Sequence, residues 1–165
     1  MELVHFLDNS LFDENAEKTF LAHKKIMKES LPEADVQHVG STAIPNSLTK
    51  GDLDIQVRVI SGQFFEAVDS LSALYELNEG SIKTDRFRAF KDDSTIPPLG
   101  VQLTVIGSEH DFFWKFRDVL LRNDHYRKEY DELKKKYEGK AMDDYRKAKN
   151  EFFQRLMKTP EYKKL

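Results

Sequence analysis

The stretch His38–Ile60 reads HVGSTAIPNSLTKGDLDIQVRVI. Its second half alternates. Leu53, Ile55, Val57 and Val59 fall on one face, and Asp52, Asp54, Gln56 and Arg58 fall on the other. Such alternation marks a β-strand with one buried face, here expected over Asp52–Ile60. Its first half follows a short expected strand, DVQHVG, that ends at Gly40. Ser41 and Thr42 then open a polar connection. Asp52 and Asp54 point to the same side of their strand, where two like charges repel. Either they face water, or something at the mouth of the strand offsets the repulsion.

The flanking sequence supplies the partners of that strand. Asp13 to Ser30 reads as a helix with Phe20, Leu21, Ile26 and Met27 apolar among charges, closed by Leu31-Pro32. Gln63 to Leu74 reads as a helix crossing back over the sheet. RFRAFKDD (86–93) is an expected strand and IPPLG (96–100) a turn. From Val101 to Ile106 the alternation returns, with Val101, Leu103 and Val105 inward and Gln102, Thr104 and Ile106 outward. Helices are expected over Glu109–Asn123, Tyr126–Tyr137 and Met142–Met157. Phe112, Phe113, Trp114 and Phe116 are expected in the core. Strands come early and helices late. The fold class is therefore α+β, a sheet covered by helices with a helical C-terminal segment, in one domain over 1–165.

Composition narrows the function. The chain has 165 residues, 39% hydrophobic and 33% charged, and no apolar run long enough to span a membrane. Its acidic start, MELVHFLDNSLFDE, lacks the order of a signal peptide, so a cytoplasmic location is expected. No cysteine is present, which excludes disulfides, Cys-bound zinc and a thiol nucleophile. A net charge of −3 speaks against dedicated nucleic-acid binding. The charge is unevenly placed. Residues 1–114 carry 10 basic and 19 acidic side chains, and residues 115–165 carry 16 basic and 10 acidic. The basic helices are expected to flank the acidic sheet face and leave a cleft rimmed by lysines and arginines.

Taken alone, each motif has a plain structural reading. A Gly-Ser turn after a strand is common, and Asp-x-Asp on a strand face can simply be solvated. Together they are more specific. A turn at Gly40, Ser41 and Thr42 lets backbone N–H groups and hydroxyls approach a phosphate. Carboxylates at Asp52 and Asp54 can hold a divalent ion that bridges phosphate oxygens. Lys50 can reach the same phosphates, and so can Arg88. His38 leads the turn and is expected to hydrogen-bond or pack behind it. No Gly-x-Ser-x-Gly elbow surrounds Ser41, so serine-hydrolase chemistry has no support.

This combination resembles the nucleotidyltransferase superfamily, where hydrophobic-Gly-Ser precedes hydrophobic-Asp-x-Asp. More closely it is similar to the GrpB (UPF0157) family, through HVGSTAIP with Lys50 and LDI behind it, FRDVLLR (116–122), Tyr130, Leu133, Lys134 and YRKAKNEF (145–152). The resemblance implies a nucleotidyltransferase-like mixed sheet with packed helices. It implies Mg²⁺ at Asp52 and Asp54, which would be the catalytic pair. A nucleoside triphosphate would lie at Gly40, Ser41, Thr42, Lys50 and Arg88, with a small-molecule acceptor beside it. The family pattern has one acid at the position of Asp54, and this chain adds Asp52. Where many members carry His-x-His, this chain has Gln102-Leu103-Thr104, and no third acid is evident. An alternative is therefore a catalytically inactive module that binds nucleotide or a protein partner. A third acid from the loop at Asp92 and Asp93 would favour catalysis.

Overall fold

The alternating stretch forms an inner strand of a five-stranded mixed sheet. The computed structural model describes all 165 residues. In chain order the elements are β1 (Leu7–Asp8), α1 (Asp13–Ser30), β2 (Asp35–Val39), β3 (Leu48–Thr49), β4 (Leu53–Val59) and α2 (Phe64–Ser72). They continue with β5 (Glu76–Leu77), β6 (Phe87–Asp92), β7 (Leu99–Val105), α3 (Phe113–Arg122), α4 (Asp124–Tyr137), α5 (Met142–Leu156) and α6 (Pro160–Lys163). The sheet runs β2-β4-β7-β6-β5. β4 and β7 are parallel, and the other pairs are antiparallel. β1 and β3 pair in a small separate ribbon. The α+β class read from the sequence is the observed one. The two-residue strands β1, β3 and β5 were not anticipated, because a strand that short cannot display an alternation.

One face of the sheet is apolar. Leu53, Ile55, Val57 and Val59 of β4 are essentially inaccessible to solvent, as are Val101 and Leu103 of β7. They pack against Phe20 and Met27 of α1 and Phe64, Ala67 and Leu71 of α2. Burying each large aliphatic side chain stabilises the fold by about 1.5–3 kcal/mol. The stripe on α1 differs from the expected one. Ala16, Phe20 and Met27 are buried, whereas Leu21 and Ile26 are largely exposed. Positions 16, 20 and 27 follow the i, i+4 and i+11 repeat of one helix face, and 21 and 26 lie off it.

The other face is polar yet mostly covered. Gln56 is fully buried. Its Nε2 donates to Thr104 Oγ1 (2.9 Å) and Asp111 Oδ1 (3.0 Å), and its Oε1 accepts from the Trp114 N–H (3.0 Å). Arg58 donates from Nε and Nη2 to Asp111, both at 2.7 Å, and from Nη1 to Asp35 at 2.7 Å. The Gly107 N–H donates to Asp111 Oδ2 (2.9 Å), which folds the 107–112 turn back under the sheet. That turn delays the start of α3 to Phe113, later than the expected Glu109. α3, α4 and α5 form a second core from Val119, Leu120, Tyr130, Phe152 and Leu156, with Ile44 beneath them. No helix is long and apolar enough to cross a membrane.

Candidate functional site

The helical cover stops short of one end of the polar face. Register places Asp54 opposite Val39 of β2 and opposite Gly100 of β7. All three sit where β2 ends and where β4 and β7 begin. Here a cavity of about 520 Å³ opens between the sheet and the C-terminal helices. The sheet side contributes Gly40, Ser41, Lys50, Asp52, Asp54 and Gln102. The helices contribute Phe112, Phe113, Phe116, Arg117, Tyr130, Lys134, Lys149 and Phe153 among others. The basic C-terminal segment thus faces the acidic end of the sheet, as the charge split implies.

Asp54 occupies a slot that two glycines keep open. Gly40 has φ of +76°, a conformation that side chains other than glycine rarely adopt. A Cβ there would lie 2.5 Å from Asp54 Oδ2. A Cβ at Gly100 would lie 2.9 Å from Asp54 Oδ1. Within the slot the carboxylate has no protein hydrogen-bond partner. Burial pushes its pKa up to about 6, and nearby Asp52 adds to the rise, while Lys149 and Lys50 oppose it. Asp52 is nearer solvent, with Lys50 Nζ 3.8 Å from its Oδ2. Gln102 shares the face of Asp54, as the matched alternation of the two strands requires. Its Oε1 is buried without a partner.

Behind the site a hydrogen-bond relay fixes the turn. His38 joins Glu17 Oε2 through Nδ1 (3.0 Å) and Thr42 Oγ1 through Nε2 (2.9 Å). Thr42 Oγ1 lies 3.2 Å from the Asp52 carbonyl oxygen. The Ser41 hydroxyl bonds Thr49 Oγ1 at 2.7 Å. The turn itself closes through Ala43 N–H to Gly40 O and Ile44 N–H to Ser41 O, which leaves the Ser41 and Thr42 N–H groups out of those bonds.

Two expected ligand contacts are corrected. Arg88 pairs with Leu103 in register, and so lies on the apolar face, away from the cavity. Its guanidinium stacks over Phe64 at 5.7 Å and donates to Thr84 O at 3.2 Å. Strand alternation decides this, and the sequence alone did not fix which face of β6 met Asp54. Thr42 is buried, and its hydroxyl is committed to the relay rather than open to a phosphate. The aromatic residues are corrected in the other direction. Phe112, Phe113 and Phe116 are half-buried and wall the cavity, with Phe112 and Phe113 stacked at 4.4 Å and Phe116 4.4 Å from Phe153. Asp92 and Asp93 do not reach Asp54. Asp92 sits opposite Leu99, and Asp93 pairs with Lys91. No group of three acidic or histidine side chains is close enough to bind a metal by itself.

The sequence profile of the GrpB protein family matches residues 11–159. The chain belongs to the GrpB family. A UPF0157 protein of Vibrio cholerae is 37% identical to it over 131 residues, covering 77% of this chain and 68% of that protein. The crystal structure of GrpB from Enterococcus faecalis superposes with a TM-score of 0.63 at 20% identity, over 79% of this chain and 81% of that one. The GrpB fold is therefore the mixed sheet with packed helices described above. A cytoplasmic RNA terminal U-transferase is a more distant likeness, with a TM-score of 0.46 at 15% identity over 74% of this chain and 35% of that one.

Within this GrpB chain, the feature that sequence reasoning missed is Lys149. It sits on α5 four residues after Tyr145 and three before Phe152, both buried. That spacing places the lysine on the inward face of the helix. The available signal was a lysine on an apolar stripe within the quoted YRKAKNEF block, and the abundance of lysine in this segment hid it. Burial lowers its pKa, and Asp54 across the cavity opposes that shift. The other enclosed cations on the cavity wall are already bonded. Arg117 donates to His38 O and Gln37 Oε1, and Lys134 to Leu48 O and Ser47 Oγ.

Proposed function

We propose that this chain is a metal-dependent nucleotide-binding protein that transfers a nucleotidyl group to a small acceptor. One observation carries the reading. Asp54 is half-buried without a donor, in a slot cleared by Gly40 and Gly100, beside the fully buried and unpartnered Oε1 of Gln102. Folding alone leaves few buried acceptors in that condition. Oxygen donors without partners suit a hard cation such as Mg²⁺. Asp52, Asp54 and the Gln102 amide oxygen would hold it. When bound, such an ion draws negative charge from phosphate oxygens and so eases displacement at phosphorus.

The protein's own residues supply the rest of the scheme. The Gly40-Ser41 turn brings backbone N–H groups close to the phosphates, which glycine permits by lacking a Cβ. Lys50 neutralises charge on them. The wall of Phe112, Phe113, Phe116 and Phe153 excludes water from the ligand. A second reading is binding without transfer. The neutral Gln102, on the strand beside Asp54, favours it, since two carboxylates hold a metal less strongly than three.

A thermal-shift titration tests the reading. Nucleoside triphosphates with Mg²⁺ should raise Tm in proportion to ln[L], by about 2.7 kcal/mol of added stability at a hundredfold excess over Kd. EDTA should remove the shift, and so should Asp54→Asn. No shift with any triphosphate in Mg²⁺ or Mn²⁺ overturns the proposal. Pyrophosphate release decides between transfer and binding alone.

A further inference from the structure

The charges around Asp54 form an alternating set. Asp52 and Lys50 face each other at 3.8 Å. Asp54 and Lys149 face each other across the cavity, close enough to influence one another, yet with no direct ion pair or hydrogen bond between them. Lys149 has no other hydrogen-bond partner, and Asp54 has none at all. A half-buried ammonium and a half-buried carboxylate each lose part of their hydration, and neither recovers it through contact. The gap between them is the ligand space.

This arrangement has a consequence for binding order. A cation arriving alone at Asp52 and Asp54 meets the repulsion of Lys50 and Lys149. An anion arriving alone at the lysines meets the two aspartates. When both arrive, the cation lies against the acids and the anion against the lysines, and each screens the other from its like charge. We infer that Lys149 is an anion-binding residue of the cavity and the internal counter-charge of Asp54, so that a divalent cation and a polyphosphate bind cooperatively. The inference rests on the metal–nucleotide reading above and assigns to Lys149 the second cationic contact that Arg88 does not make. Coupling of this kind is reciprocal, so each ligand raises the affinity of the other by the same factor.

Calorimetric titration of the full chain with Mn²⁺ alone and with Mg²⁺–tripolyphosphate tests it, in wild type, Lys149→Met and Lys149→Arg. Lys149→Met keeps the length of the side chain and removes its charge. It should bind free Mn²⁺ several-fold more tightly than wild type and bind Mg²⁺–tripolyphosphate about tenfold more weakly. Lys149→Arg should stay near wild type in both titrations, which keeps the test informative if the Met variant does not fold. Opposite signs for the two ligands are a signature that a purely structural lysine does not give. Parallel weakening of both ligands overturns the inference while leaving the nucleotide reading standing, as does tripolyphosphate affinity within twofold of wild type. Wild type that binds neither Mn²⁺ nor Mg²⁺–tripolyphosphate overturns both. For Lys149→Arg, loss of tripolyphosphate binding equal to that of a folded Met variant would also count against a role set by charge.

Discussion

Two carboxylates lie against the polar face of the same sheet, and their surroundings are opposite. Asp111 accepts hydrogen bonds from Gln56, from Arg58 twice and from the Gly107 N–H. Burial alone would raise its pKa, but the Arg58 and Gly107 bonds outweigh burial and hold it below the usual carboxylate range. Asp54 accepts no hydrogen bond from the protein, and burial pushes it up to about 6. One acid has every neighbour that stability asks for. The other has a cleared slot and a lysine kept at a distance. A buried acid that serves the fold is satisfied by it, and an acid half-buried in a cavity that the fold leaves unsatisfied points to a ligand.

The sharpest way to break this contrast is to neutralise each acid in turn. Asp111→Ala strands the Arg58 guanidinium and the Gln56 amide beneath α3, and should cost about 3 kcal/mol. Asp54→Asn removes repulsion from Asp52 and should leave stability unchanged or raise it by about 0.5–1 kcal/mol. Urea midpoints in metal-free buffer measure both. A large loss from Asp54→Asn under those conditions would show that the acid at the cavity is structural after all.

Gly100→Ala probes the slot rather than the charge. Backbone geometry at Gly100 accepts alanine, because its φ lies outside the left-handed region. The new Cβ meets Asp54 Oδ1 at 2.9 Å and Gln102 Nε2 at 3.2 Å. Overpacking there should cost about 1–2 kcal/mol and turn both side chains aside. Any Mg²⁺-dependent thermal shift with nucleotide should disappear. A variant that loses stability but keeps the full nucleotide response would separate the slot from binding.

The contrast was only half legible in the sequence. The alternation from Leu53 to Val59 fixes β4 and its faces, because a period of two has a single strand solution. Gly40, Asp52, Asp54 and Lys50 come together as their spacing implies, since a short connection after an antiparallel strand returns close to its start. Arg88 was misplaced because the face that β6 presents depends on its register with β7, which local sequence does not encode. Gln56 and Arg58 read as surface residues, and only the return of the 107–112 turn makes them interior. Lys149 came from the far end of the chain, inside the YRKAKNEF block, where only helix packing shows which of its side chains meets Asp54.

The two acids should also answer pH with opposite signs. Asp54 has a folded pKa of about 6 against an ordinary 3.8. The native state then holds the extra proton between those values, so stability falls as pH rises from about 4 to about 6 and levels off above it. Asp111 has a depressed folded pKa. Its contribution is present above the ordinary value and is lost as pH falls below about 4. Against wild type, Asp54→Asn should gain on the order of 1 kcal/mol between about pH 4 and 7, allowing for water entering the cavity. An Asp54→Asn curve parallel to wild type over that range would mean that the carboxylate is satisfied in solution.

The smallest effect is expected at Arg88, and it marks the boundary between the faces. Its guanidinium lies over Phe64 on the apolar side and touches nothing in the cavity. Arg88→Gln should therefore cost about 0.5–1 kcal/mol through the lost cation–π contact. It should leave Mg²⁺–nucleotide affinity unchanged, in contrast to Lys50→Met, which removes a cation that lines the cavity. Both variants keep a long side chain and remove one positive charge, so their net charges match. Long-range electrostatics then cannot distinguish them, and a difference in nucleotide binding reports only which face of the sheet each residue occupies. Equal losses at Arg88 and Lys50 would place the ligand's influence on both faces and undo the separation of core from site.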